Sequence, residues 1–102
     1  MNSTYKKLRQ SCEAVLEQIR DDSIDTLLED IIEVERTQYS SKTGWNTQNI
    51  IFIMATGGPH IEINTNTRTI SGFWSSEDCC ISFRGDRDIE SKIDELLEFF
   101  KE

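Results

Sequence analysis

Apolar residues recur along this chain with two different periods, and the changes from one to the other divide it into helical and extended parts. Leu8, Cys12, Val15, Leu16 and Ile19 advance by 4, 3, 1 and 3 residues, the stripe of a helix with one buried face. Asn2 or Ser3 is placed to cap its start. Asp21, Asp22 and Ser23 restart the pattern as capping residues, and Ile24, Leu27, Leu28, Ile31 and Ile32 form a second stripe. So short a turn predicts a helical hairpin. Ser40 to Asn49 is polar apart from Trp45, without helical period, and reads as a connecting loop. NIIFIMAT, Asn49 to Thr56, is a continuous β-branched and aromatic run, a strand covered on both faces and the candidate for the sheet centre.

Beyond it the period is two. In HIEIN, Ile61 and Ile63 point one way and His60, Glu62 and Asn64 the other, and Asn66 is placed for a tight hairpin. Ile70, Gly72 and Trp74 then share a face opposite Thr69, Ser71 and Phe73, and CCISF supplies a fourth strand. Asp86 or Asp88 can cap a last helix, in which Ile89, Ile93, Leu96, Leu97 and Phe100 repeat the first stripe. The expected order is α-α-β-β-β-β-α: a helical hairpin, a four-stranded antiparallel β-meander and a C-terminal helix. That is an α+β fold, expected as a single domain over residues 1–102.

The only proline and the only histidine fall together in ATGGPHIEINTNTRTISGFW. Glycines there could cradle a phosphate, but such loops feed a helix and carry a following Lys, whereas Gly57-Gly58-Pro59 feeds a strand. The segment reads as a corner between strands. His60 would have to recruit Cys12, Cys79 or Cys80 from distant segments, and no C-x-x-C spacing accompanies them, so neither a nucleophilic set nor a zinc site is expected. Of the adjacent cysteines one should point into the core and one outward, and Cys12 lies on the helix stripe. Glu62, Glu77 and Asp78 read as solvated carboxylates rather than an acid–base pair. No catalytic residue, metal or cofactor is expected, and the chain is not read as an enzyme.

Charge is the more informative property. The net charge is -8 and the pI about 4.6, a field that repels nucleic acid and anionic membrane and attracts basic protein surfaces. Residues 1–20 carry four basic and two acidic groups, whereas residues 21–40 carry seven acidic and one basic. On the expected second helix, Asp22, Asp25, Glu29 and Glu33 are spaced by 3, 4 and 4 and align on one face. Successive carboxylates then lie about 5–6 Å apart, comparable to phosphates on a nucleic-acid strand. Among the aromatics, Trp45, Phe73 and Trp74 are candidates to anchor a partner, Trp74 foremost. An odd number of cysteines, no disulfide-like spacing and no long apolar run point to a cytoplasmic protein.

The segment ATGGPHIEINTNTRTISGFW resembles one that recurs in small proteins of phages, plasmids and their bacterial hosts, and the size and acidity of the chain are similar to those of the anti-CRISPR inhibitors. The resemblance implies a stoichiometric protein inhibitor that occupies the nucleic-acid groove of a defence nuclease or blocks its assembly. Charge placement and the aromatics, rather than the resemblance, supply the expected contact residues: a protein partner with a basic surface, expected to be a nucleic-acid-binding effector, is met through Asp22, Asp25, Glu29, Glu33 and Trp74. Direct nucleic-acid or membrane binding is not expected. The same features leave open an immunity protein or antitoxin against a basic toxin, a small enzyme at Thr56 to His60, and a homodimer joined through Phe73 or Trp74.

Overall fold

The computed structural model describes residues 3–41 and 44–100, with the side chains of residues 37–48 outside that description. Its elements are α1 (Ser3–Asp21), α2 (Ile24–Asp30), β1 (Glu33–Ser41), β2 (Gly44–Ala55), β3 (His60–Asn64), β4 (Thr69–Trp74), β5 (Glu77–Ser82) and α3 (Arg87–Glu98). The fold is α+β, as expected, but the antiparallel sheet has five strands in the order β1-β2-β3-β4-β5.

Two segments differ from the pattern expected of them and together supply the additional strand. The stretch from Ser40 to Asn49 is not a loop: β1 and β2 pair from Glu33↔Ile53 to Ser41↔Gly44, with a register irregularity between Tyr39 and Ser40. Asn64 pairs with Ile51, so the part of β2 before Asn49 has β1 as its strand neighbour and extends beyond the rest of the sheet. In consequence β3, not β2, is the middle strand. The second difference is that α2 is short. Ser23 caps it, its side chain accepting from the Thr26 N–H at 3.2 Å, but the helix stops at Asp30 and Ile31 is already extended at φ -70, ψ 118. Ile31, Ile32 and Val34 are β-branched and fit a pleated surface better than a helical one, and the Ile32 N–H donates to the Ile53 carbonyl at 2.8 Å.

All three helices pack on one face of the sheet. The row Val34–Phe52–Ile63–Ile70–Ile81 crosses all five strands on that face. It meets Leu8, Cys12, Val15 and Ile19 of α1, Leu27 of α2, and Ile89, Ile93 and Leu96 of α3 in one apolar cluster. The expected helical hairpin is modified: α1 and α2 each pack on α3, and the Gln18 amide of α1 donates to the Asp30 carboxylate of α2. α1 crosses β4 closely because Gly72 has no side chain; a Cβ there would stand 2.5 Å from Cys12 Sγ and 2.8 Å from Leu8 Cδ1. Lys92 of α3 donates to the carbonyls of Ile19 (3.3 Å), Arg20 (3.4 Å) and Asp22, closing the C-terminal end of α1 with the cation that a helix C-terminus favours. Asp86 caps α3 through the Ile89 N–H. At the far end of α3, Phe100 packs on Phe52 with ring centroids 5.3 Å apart.

Candidate interaction surface

The opposite face of the sheet carries no helix among the described residues. Strand register lays it out as three rows: Glu33–Ile53–Glu62–Ser71–Cys80, Glu35–Ile51–Asn64–Thr69–Ser82, and His60–Phe73–Asp78. Ile53 is buried yet separate from the helix-side cluster, flanked across the strands by Glu33 and Glu62. β2 therefore does bury apolar residues on both faces, as its continuous apolar run implies.

The four acids expected in one helical row are divided between three local structures. Asp22 precedes the cap of α2, Asp25 and Glu29 lie one turn apart on α2 and are exposed, and Glu33 opens β1 on the helix-free face. The single-face arrangement is thus corrected: early termination of α2 removes Glu33 from it, and Ser23 rather than Asp22 takes the capping position. Glu35, which helical spacing did not single out, stands two residues after Glu33 on the same sheet face. Period-two alternation in EVER would have shown it.

What remains is a stretch of chain with unbalanced charge. Residues 21–35 contain seven acids and no Lys or Arg. Several cations elsewhere are engaged: Arg9 pairs with Glu13, Arg20 with Asp86, and Arg68 with Glu90 and Asp94. Arg36 and Arg84 donate to the carbonyls of Phe100 and Thr67, and Lys92 to the end of α1. Among the described residues Asp25, Glu29, Glu33 and Glu35 have no cationic partner.

The aromatic candidates also separate. Trp74 shares the helix-side face, is half-buried against the apolar cluster, and lies so close to Gly58 that a Cβ there would be 2.9 Å from its indole Nε1. Phe73 is the outward aromatic of the pair, 43% exposed, with its ring centroid 6.0 Å from that of His60. The Trp45 side chain lies outside the described residues.

The Gly57 corner joins β2 to β3 with Gly57 at φ +88, a backbone that glycine adopts at no steric cost, and a cis Gly58–Pro59 bond. His60 faces Glu62 at 3.8 Å, long for a hydrogen bond. In the following turn the work assigned to Asn66 falls to others: Asn64 accepts from the Asn66 and Thr67 N–H groups, and Arg68 takes the left-handed conformation at φ 60.

The cysteines sit as alternation requires, with Cys12 and Cys79 buried and Cys80 exposed. Burial first, and the neighbouring Cys79 thiol second, push the Cys12 thiol up to about 11, so it is inert as a nucleophile at neutral pH. A depression of about 350 Å³ at the β5 edge is lined by Tyr5, Ser71, Phe73, Asp78, Cys79 and Cys80. No group of three or more metal-ligating side chains is found among the described residues, and no described helix is long and apolar enough to cross a membrane. Family models, curated proteins and solved structures were each compared with this chain and none matches, so its function is read from its own residues.

Proposed function

We propose that the protein is a small acidic binding module that inhibits a nucleic-acid-handling effector by covering its basic surface, in the manner of the anti-CRISPR inhibitors that it resembles in size and acidity. The observation that carries this reading is the set of carboxylates with no cationic partner among the described residues, Asp25, Glu29, Glu33 and Glu35, in a stretch, residues 21–35, that contains no Lys or Arg to pair with them. Asp25 and Glu29 stand one turn apart on α2, where a like-charge pair costs a few tenths of a kcal/mol. Interleaved Lys would remove that cost at no expense to the apolar stripe. A surface lined by Lys and Arg for phosphate offers the same complement to carboxylate, and such a role needs no catalytic group.

The test is capture of partners from nuclease-treated bacterial lysate at low and high salt, followed by competition between this protein and nucleic acid for the captured partner. The reading requires a nucleic-acid-binding partner that is released by salt, displaced from nucleic acid by this chain, and lost when Asp25, Glu29, Glu33 and Glu35 are all changed to Lys. A partner indifferent to salt and to charge reversal would refute it.

A further inference from the structure

β1 is an edge strand: β2 lies on one side, and no other described strand pairs with the other. Over Glu33–Ser41 every second residue thus directs its N–H and C=O away from the sheet, unpaired with any strand. Edges are commonly closed to strand addition by proline or lysine, and EVERTQYSS contains neither. Its charges are Glu33, Glu35 and Arg36, and Arg36 is turned to the Phe100 carbonyl on the helix side at 3.1 Å. Glu33 and Glu35 stand together on the helix-free face, exposed and without a cation among the described residues. Ile32, just before the strand, donates its N–H to the Ile53 carbonyl and is 58% exposed.

We propose that β1 pairs in trans with an extended basic segment of a protein partner, which joins the sheet as a further edge strand. The main-chain groups of β1 supply the pairing and alternation supplies the selectivity. Lys or Arg of the incoming strand falls on the face of Glu33 and Glu35, and its apolar residues fall on the face of Val34. A second copy of this chain is a poor occupant. It brings the same charge of -8, and pairing centred on Val34 would set Glu33 of each copy against Glu35 of the other, a destabilising like-charge pair. The proposal rests on the reading that the partner is basic and adds where and in what conformation the partner binds.

The probe is an end-blocked peptide in which Lys alternates with Thr and Val, titrated into the isotope-labelled full chain at low salt, with amide chemical shifts and hydrogen exchange as readouts. A peptide of the same composition with its lysines grouped at one end is the control. The expected result is perturbation centred on residues 32–41, slowed exchange at alternate β1 amides, and weaker binding of the grouped peptide. Changing Glu33 and Glu35 together to Lys should weaken the alternating peptide by about tenfold or more, each lost pair and each new repulsion counting for a factor of a few. The pair Glu33→Gln and Glu35→Gln should give an intermediate loss. Salt-dependent binding that perturbs α2 or α3 and leaves β1 exchange unchanged would overturn edge pairing while leaving the acidic-binder reading in place. Binding of neither peptide would also overturn edge pairing, and the acidic reading would then stand or fall by partner capture alone.

Discussion

Gly72→Ala should destabilise the fold although alanine is intrinsically better than glycine in a strand. The added Cβ would lie 2.5 Å from Cys12 Sγ and 2.8 Å from Leu8 Cδ1, against the roughly 3.5–4.0 Å of an ordinary contact. α1 cannot yield cheaply, because Leu8, Cys12 and Ile19 are all completely buried and its C-terminal end is held by Lys92. Overpacking of this kind costs about 1–3 kcal/mol, offset by the roughly 0.5–1 kcal/mol that glycine loses in backbone entropy. From the middle of both ranges the net loss is about 1 kcal/mol, which corresponds to a fall in Tm of about 4–8 °C for a chain of this size. Thermal and urea unfolding followed by circular dichroism would measure it. Combining Gly72→Ala with Cys12→Ala removes the closer clash, so the double variant should be more stable than the sum of the single effects by at least about 0.5 kcal/mol. A Gly72→Ala protein as stable as the parent, or strict additivity with Cys12→Ala, would show that α1 does not rest on β4 in this way.

Lys92→Met should keep the aliphatic packing of the side chain but release the carbonyls at the end of α1, lowering stability by about 1–3 kcal/mol. Urea denaturation showing no change would contradict that. The Arg20 guanidinium, followed by the Ile89 N–H, holds the Asp86 carboxyl below its ordinary value. A group depressed in the folded state stabilises above its unfolded pKa and ceases to do so as pH falls through the folded value. Asp86→Asn keeps a capping side chain and should flatten the loss of stability below about pH 4; urea midpoints at several pH values that fall as steeply as the parent's would count against it. A thiol reagent at neutral pH should modify Cys80 in the native protein, and Cys12 and Cys79 only after unfolding, in keeping with their burial. Mass spectrometry finding Cys12 labelled as fast as Cys80 would be inconsistent with the packing described.

The parts of the fold that were legible in the sequence are those where one period runs without competition. The stripes of α1 and α3, the alternation of HIEIN and TISGFW, and the inward and outward placement of Cys79 and Cys80 all follow from spacing. Errors arose where local signals conflicted. DTLLEDIIEVE continues an apolar period through Ile31 and Ile32 that suits a helix, but β-branching and the pairing of Val34 with Phe52 make those residues the approach to a strand. β1 lacks the apolar content by which strands are recognised, since it is an edge and one of its faces carries Glu33 and Glu35. Its existence depends on the partner strand β2, a non-local fact. The acid row inherited the helix error, so the carboxylates survive as a charge-rich stretch of chain and not as one ordered face. Trp74 was legible as sharing a face with Ile70 and Gly72, but only the side on which the helices pack shows that this face is the inner one.

Affinity for a captured basic partner as a function of salt, measured for the parent chain and for the variant with Lys at 25, 29, 33 and 35, tests the central claim most directly. The account predicts that log affinity falls steeply with log salt for the parent and that the charge-reversed protein, folded by circular dichroism, no longer binds or displaces nucleic acid. An affinity that is flat in salt and unchanged by the four substitutions would contradict it and turn attention to Phe73 and the helix-free face.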